Sequence, residues 1–354
     1  MPTQRMNPSL EYIPWRRRIA YLAILLGVLL LCAEATSHLL LQYAYGTLPE
    51  SQRLNVYDPV LGWTNIPNLR VANRFGAGKN ATHNSQGLRA LMDYSPQIPK
   101  DRYRILFLGD SFTYGICGDD ETYPAQLESL CPKIQAVNMG VGAYGIDQCY
   151  LRFKREGHLL DSNMVVLTFI EDDFPRMRTS VFLRNPKPLL QLRGKEIVVS
   201  NVPVPAWNDR KGGNWFQQFP QQTATFQLLN GAYALLAAKG HNMFPVAERV
   251  FDELGNRCRE RGQKFVLLYL PSDHRGGNDF DSAQQNDVVR WVIAYAEKSG
   301  TPFLNLTETF RYLPHQERKE LFEQPRGHYS KAGNRLVATA FLREVRKRFP
   351  EAMR

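Results

Sequence analysis

The 354-residue sequence has no cysteine pair at CxxC spacing, and its seven histidines form no HExxH run. Metal centres of the zinc-ribbon or zincin kind are therefore not signalled. No segment repeats at a fixed period, which argues against solenoids and propellers. A basic stripe is missing too. The net charge is +10, but Lys and Arg are scattered, with much of the excess at the two ends, in Arg16, Arg17 and Arg18 and across 343–348. That distribution fits solubility and membrane-surface charge and does not point to a nucleic-acid partner.

Lys and Arg are also absent between Arg18 and Arg53. Within that interval the segment 19–31 carries no charge, and apart from Glu34 the apolar stretch continues to Leu41, long enough to cross a bilayer as a helix. The arginines just before it place residues 1–18 in the cytoplasm, 19–41 in the membrane and the remainder on the periplasmic or extracellular side. Ala33, Glu34 and Ala35 offer a small-x-small cleavage site, so a signal peptide is the alternative to a retained anchor. Either way the rest is exported. Cys32 lies in the apolar segment, and export permits Cys117, Cys131, Cys149 and Cys258 to pair. The options are buried free thiols or one bridge, with Cys117–Cys149 the first pairing to expect.

With 44% hydrophobic residues, the exported part can bury a sizeable core. Residues 42–100 are rich in Pro, Asn and Gly, as in YDPVLGWTNIPN, and read as an ordered but irregular lead-in. Continuous apolar runs at 104–108, 136–139, 164–170, 264–270 and 302–306 then read as buried strands. Helix-like stretches at 123–130, 146–156, 246–261, 282–298 and 331–348 alternate with them. Such alternation predicts a flavodoxin-like, doubly wound parallel sheet in three α/β/α layers over 101–354, behind the N-terminal transmembrane helix. Residues 174–242 exceed one crossover and form an insertion, in which LLQLRGKEIVVS reads as a hairpin turning at Arg193 and Gly194.

The first strand runs straight into GDSFTYG, placing Ser111 at the carboxyl end of a parallel strand, where open α/β sheets bind ligands. A serine hydroxyl is a poor nucleophile until a base takes its proton, so a histidine has to be brought to it. NMGVGAYG, at 138–145, follows the next helix and strand, and GHYSKAGN, containing His328 and Gly333, precedes the last helix. In this order GDSFTYG, NMGVGAYG and GHYSKAGN resemble the blocks of the SGNH/GDSL hydrolase family rather than the GxSxG elbow of α/β-hydrolases. NSQGLR behind an apolar anchor is similar to exported members. The likeness spans most of the chain apart from 174–242.

The resemblance implies an ester hydrolase without a cofactor or metal, with Ser111 as nucleophile and His328 as general base. Its oxyanion donors would be the Ser111 N–H, a second-block N–H (Ala143, with Gly140 or Gly142 as alternatives) and a third-block side chain. Two departures stand out. Where the family offers Asn then Asp, this chain has Glu171, Asp172 and Asp173, so Asp172 stands at the Asn position, and an ionised carboxylate donates no hydrogen bond. Near His328, Pro325 and Arg326 occupy the place of an orienting Asp, leaving Glu323 as the nearest carboxylate. Gly277–Asn278–Asp279 mimics the missing pair but follows the fourth strand, as do Asp273 and His274. Trp63, Trp207 and Trp215 read as packing residues before they read as sugar platforms. The expected substrate is an acylated envelope glycan or lipid. The alternatives are an O-acyltransferase acting on an exported polysaccharide, or a binding or assembly protein that kept the fold and lost the chemistry.

Overall fold

The computed structural model describes residues 14–45, 53–182, 185–206, 223–225, 228–229, 242–272, 287–323 and 327–353. Trp207, Trp215, the 273–279 stretch, Pro325 and Arg326 lie outside them. The chain divides into two compact units, one of residues 1–47 with 210–232 and one of 48–209 with 233–354.

The smaller unit contains helix α1 (Trp15–Tyr45). Its span Trp15–Leu40, of mean hydropathy 2.2, is long and apolar enough to cross a membrane. This is the one such helix among the described residues.

The larger unit is built on five parallel strands: β1 (Tyr103–Leu108), β2 (Ile134–Asn138), β3 (Met164–Phe169), β4 (Lys264–Tyr269) and β5 (Phe303–Asn305). Their spatial order is 2-1-3-4-5, the flavodoxin-like order with its switch point between β1 and β3. All five expected strands are present, and the reason is visible in β1. Ile105 and Phe107 enter one core with Tyr123 and Leu127 of α3 (Tyr123–Leu130) and Phe341 and Val345 of the C-terminal helix. Leu106 and Leu108 enter the other, with Cys149 and Phe153 of α4 (Ile146–Glu156) and Phe251 and Leu254 of α6 (Met243–Glu260). A strand covered on both faces needs apolar side chains at every position. Two further helices complete the layers, α7 (Asp287–Ser299) and α8 (Lys331–Arg348). Two short helices, α2 (Ser111–Tyr114) and α5 (Asp173–Arg176), start at the carboxyl ends of β1 and β3.

The lead-in forms two small antiparallel pairs, Asn55–Asp58 with Gly62–Asn65 and Arg70–Val71 with Ala81–Thr82. The hairpin of the insertion pairs Leu189–Arg193 with Glu196–Ser200 across Gly194. Lys187, fully buried, holds the insertion's first part to α4: its ammonium donates to Asp147 and to the carbonyls of Arg176, Thr179 and Pro188. Burial alone pushes the Asp147 carboxyl up, and the Lys187 charge pulls it back.

The expected Cys117–Cys149 bridge does not form, and all five cysteines are free thiols. Cys149 sits inside α4 in the core beneath that helix, whereas the Cys117 sulfur lies 3.5 Å from Asn334 Nδ2 of α8. Burial pushes the Cys117 thiol up to about 12, which leaves it an inert apolar filler.

Candidate active site

Three loops meet at the carboxyl edge of the sheet, at its switch point. After β1 the chain turns into α2, capped by Asp110, whose Oδ1 accepts the Phe112 N–H at 2.8 Å. Ser111 is the first helical residue. Its Oγ lies 2.8 Å from His328 Nε2, so the structure brings together the two residues that the sequence singles out. His328 arrives on a two-residue strand, His328–Tyr329, paired with Phe322–Glu323. Its imidazole stacks on buried Phe112, 4.8 Å between centroids, and Tyr329 beside it is fixed by donating to the Pro271 carbonyl at 2.6 Å. The block then enters α8 through Ser330, which caps Gly333 N–H. Asn334 ties the block to α3 by accepting the Tyr123 N–H at 3.1 Å and donating to the Tyr329 carbonyl at 3.2 Å. Only glycine fits at 333, because a Cβ there would stand 2.2 Å from the Leu321 carbonyl oxygen.

The second-block loop packs directly on α2. A Cβ on Gly140 would meet the Tyr114 nitrogen at 2.3 Å. Asn138 locks this approach, donating to the Thr113 carbonyl at 2.7 Å and accepting the Gly140 N–H at 2.9 Å. That contact commits the Gly140 N–H and removes it from the oxyanion donors. Beyond it, Tyr144 N–H bonds the Val141 carbonyl, closing a turn with Gly142 and Ala143 at its centre. Ala143 has φ of +66°, a conformation costing a non-glycine residue of order 1 kcal/mol. Among the described residues no acceptor takes the N–H of Ser111, Gly142 or Ala143.

The lead-in holds this turn from outside. Trp63 Nε1 donates to the Gly142 carbonyl at 3.0 Å, Tyr144 Oη donates to the Trp63 carbonyl, and Asn65 Nδ2 donates to the Gly140 carbonyl at 3.1 Å. Trp63 is 3% exposed, so it is a packing residue and no sugar platform.

The third loop differs from the expectation drawn for it. Asp172 is half-buried at the start of α5 and makes no capping bond. The buried acid is its neighbour Asp173, 2% exposed, which accepts the Ile170 N–H. Arg176 lies between Asp173 and Asp110, bonding both carboxylates and the Tyr144 carbonyl, with 3.0 Å to Asp110 Oδ2. One guanidinium thus serves two buried carboxylates, and all three blocks are joined behind Ser111. Burial, followed by the Asp110 charge, holds the Asp173 carboxyl well above the usual carboxylate range. Glu171 accepts from Tyr269 Oη and Ser272 Oγ, and burial raises it as well. Glu323 lies directly across the strand pair from His328, but its carboxylate binds Lys79 Nζ at 2.9 Å.

Arg176 was not singled out in the sequence, and Asp173 was named there only as the neighbour of Asp172 in the third block. The usable signal was a position: a carboxylate and a cation one helical turn apart, immediately after a fully apolar strand.

The chain is thus an α/β protein of flavodoxin-like order with a Ser–His pair at its switch point. No family model matches it, and no curated protein does either. Among solved structures it is similar to a lipase/acylhydrolase from Enterococcus faecalis, with 14% identity over 70% of this chain and 96% of that one, TM-score 0.39. A catalytic mutant of an acetylxylan esterase from Geobacillus stearothermophilus is similar at 16% over 69% and 94%, TM-score 0.40. A member of the lipolytic G-D-S-L family from Veillonella parvula is similar at 12% over 70% and 100%, TM-score 0.39. At these identities residue roles have to come from this chain's own geometry.

Proposed function

We propose that the chain is a serine ester hydrolase of SGNH/GDSL type, anchored by α1 and acting outside the cytoplasm on acyl groups of an envelope glycan or lipid. The observation that carries this reading is the 2.8 Å contact between Ser111 Oγ and His328 Nε2. The serine oxygen attacks the ester carbonyl carbon while its proton passes to Nε2, and the carbonyl π electrons move onto oxygen. The resulting oxyanion is met by the Ser111 N–H and by an N–H of the 142–143 turn, Ala143 being the one held in the left-handed conformation. Collapse expels the alkoxide, which takes the proton back from Nε2. Water, deprotonated by the same nitrogen, then attacks the acyl-enzyme and releases the acid. Asp172 is assigned no donor role in this scheme, which needs only the two backbone N–H groups.

Hydrolysis of p-nitrophenyl acetate and butyrate by the full chain in detergent tests this. The expected kcat falls by about 10⁶-fold in Ser111→Ala and comparably in His328→Ala. Turnover that survives both substitutions overturns the reading.

A further inference from the structure

Among the described side chains of α1 up to Leu40, every one is exposed except Gly27, Glu34 and Ser37. Residues seven and three apart share one side of a helix, so these three mark a single stripe. Its polar members are both engaged. Glu34 Oε1 accepts the Ala224 N–H at 2.6 Å and Oε2 accepts the Thr225 N–H at 3.0 Å, while Thr225 Oγ1 donates to Ser37 Oγ at 3.2 Å. Ala224 is 5% exposed and Ser37 8%. A carboxylate within an apolar span is costly unless it is paired or satisfied, and here both oxygens take backbone amides of the insertion.

Glu34 stands 15 residues after Ile19, where the uncharged span begins, roughly 22 Å along the helix axis. In a hydrocarbon core of about 30 Å that is within the outer leaflet. Whatever bonds Glu34 shares that depth. The insertion's sequence suits such a location, since ATFQLLNGAYALLAA, residues 224–238, carries no charge before Lys239. Leu229 within it is 65% exposed.

We infer that Glu34 and Ser37 form a docking site for the 223–225 turn of the insertion, and that this contact seats the insertion in the outer leaflet of the bilayer. The chain then meets lipid at two places, by its anchor and by the insertion around 223–225. This rests on α1 being a membrane anchor.

The test uses the full chain with Cys32→Ser, reconstituted in phosphatidylethanolamine/phosphatidylglycerol vesicles containing doxyl-labelled lipid. An environment-sensitive fluorophore is attached at Leu229→Cys, at Leu25→Cys in α1, or at Tyr312→Cys, whose parent side chain is 80% exposed in the other unit. Quenching at 229 is expected to approach that at 25 and to exceed that at 312 several-fold. Quenching at 25 with position 229 behaving like 312 overturns the inference while leaving the anchor intact. No quenching at 25 refutes the anchor and the inference with it. Separately, Ser37→Cys with Thr225→Cys is expected to cross-link on oxidation in these membranes, and Glu34→Leu to lower the yield several-fold. Absence of the cross-link overturns the docking site.

Discussion

Arg176 is the residue whose removal probes the site's support most sharply. Its guanidinium bonds Asp110, Asp173 and the Tyr144 carbonyl, and the three residues are 9%, 1% and 2% exposed for Arg176, Asp110 and Asp173. Arg176→Met preserves most of the volume but leaves two buried acids without a cation. Breaking a buried pair in this way costs about 3–5 kcal/mol. For a domain of this size that is roughly 10 °C in Tm, at about 2–4 °C per kcal/mol. Asp173→Asn is the matched control. Its carboxyl is held well above the usual range, so the folded protein binds a proton there that the unfolded chain releases. Stability from this group is therefore lost as pH rises through the unfolded carboxylate value toward the folded one. Asp173→Asn abolishes that loss and is expected to gain on the parent protein as pH rises from about 4 to 8, with little cost at pH 4. Thermal melts followed by near-ultraviolet circular dichroism in detergent across this pH range make the comparison. A cost below about 1 kcal/mol for Arg176→Met, or an Asp173→Asn variant that loses ground to the parent as pH rises, would refute these roles for Arg176 and Asp173.

Further outcomes follow from the same geometry. Gly140→Ala drives a methyl into the Tyr114 backbone and is expected to cost about 1–3 kcal/mol with a fall in ester turnover, whereas Gly142→Ala meets nothing within 4 Å and should be close to neutral in melts. Lys187→Met strands the buried Asp147 carboxyl and is expected to cost about 3–5 kcal/mol in urea titrations, much of it recovered when Asp147→Leu is added. His83 is 2% exposed, bonded to Tyr114 Oη and the Ile66 carbonyl, and burial pushes it down to about 4. The unfolded chain binds its proton first, so about 3 kcal/mol of stability should be lost between pH 6.5 and 4. His83→Gln should flatten that limb of the stability profile, and an unchanged limb would show that His83 does not control it.

The sheet was legible because burial on both faces forces continuous apolar runs, and those runs are separated by stretches of helical period. α3, α4 and α8 begin and end where the spacing predicts. Ser111 and His328 could be picked out because each sits in a short block at a strand or helix boundary. What could not be read was which polar residues turn inward. Lys187 stands between two prolines and Arg176 in an acidic run, contexts that ordinarily mean solvent, and only the packed loops show them buried. Asp172 attracted attention for its position in the block, whereas a one-residue step around α5 sends Asp173 into the core instead. Glu323 was chosen for nearness in sequence, and the fold supplies it with Lys79 from a lead-in more than two hundred residues away. The cysteine pairing failed for the same reason, since chain spacing does not tell which packing environment each thiol enters.

On the proposed reading Ser111 is a nucleophile activated by His328. Incubation of the full chain with an alkyl fluorophosphonate, followed by intact mass and peptide mapping, tests it most directly. One adduct per chain is expected on Ser111, absent in Ser111→Ala and slowed at least a hundredfold in His328→Ala. An unlabelled protein, or an adduct that persists in Ser111→Ala, would contradict it.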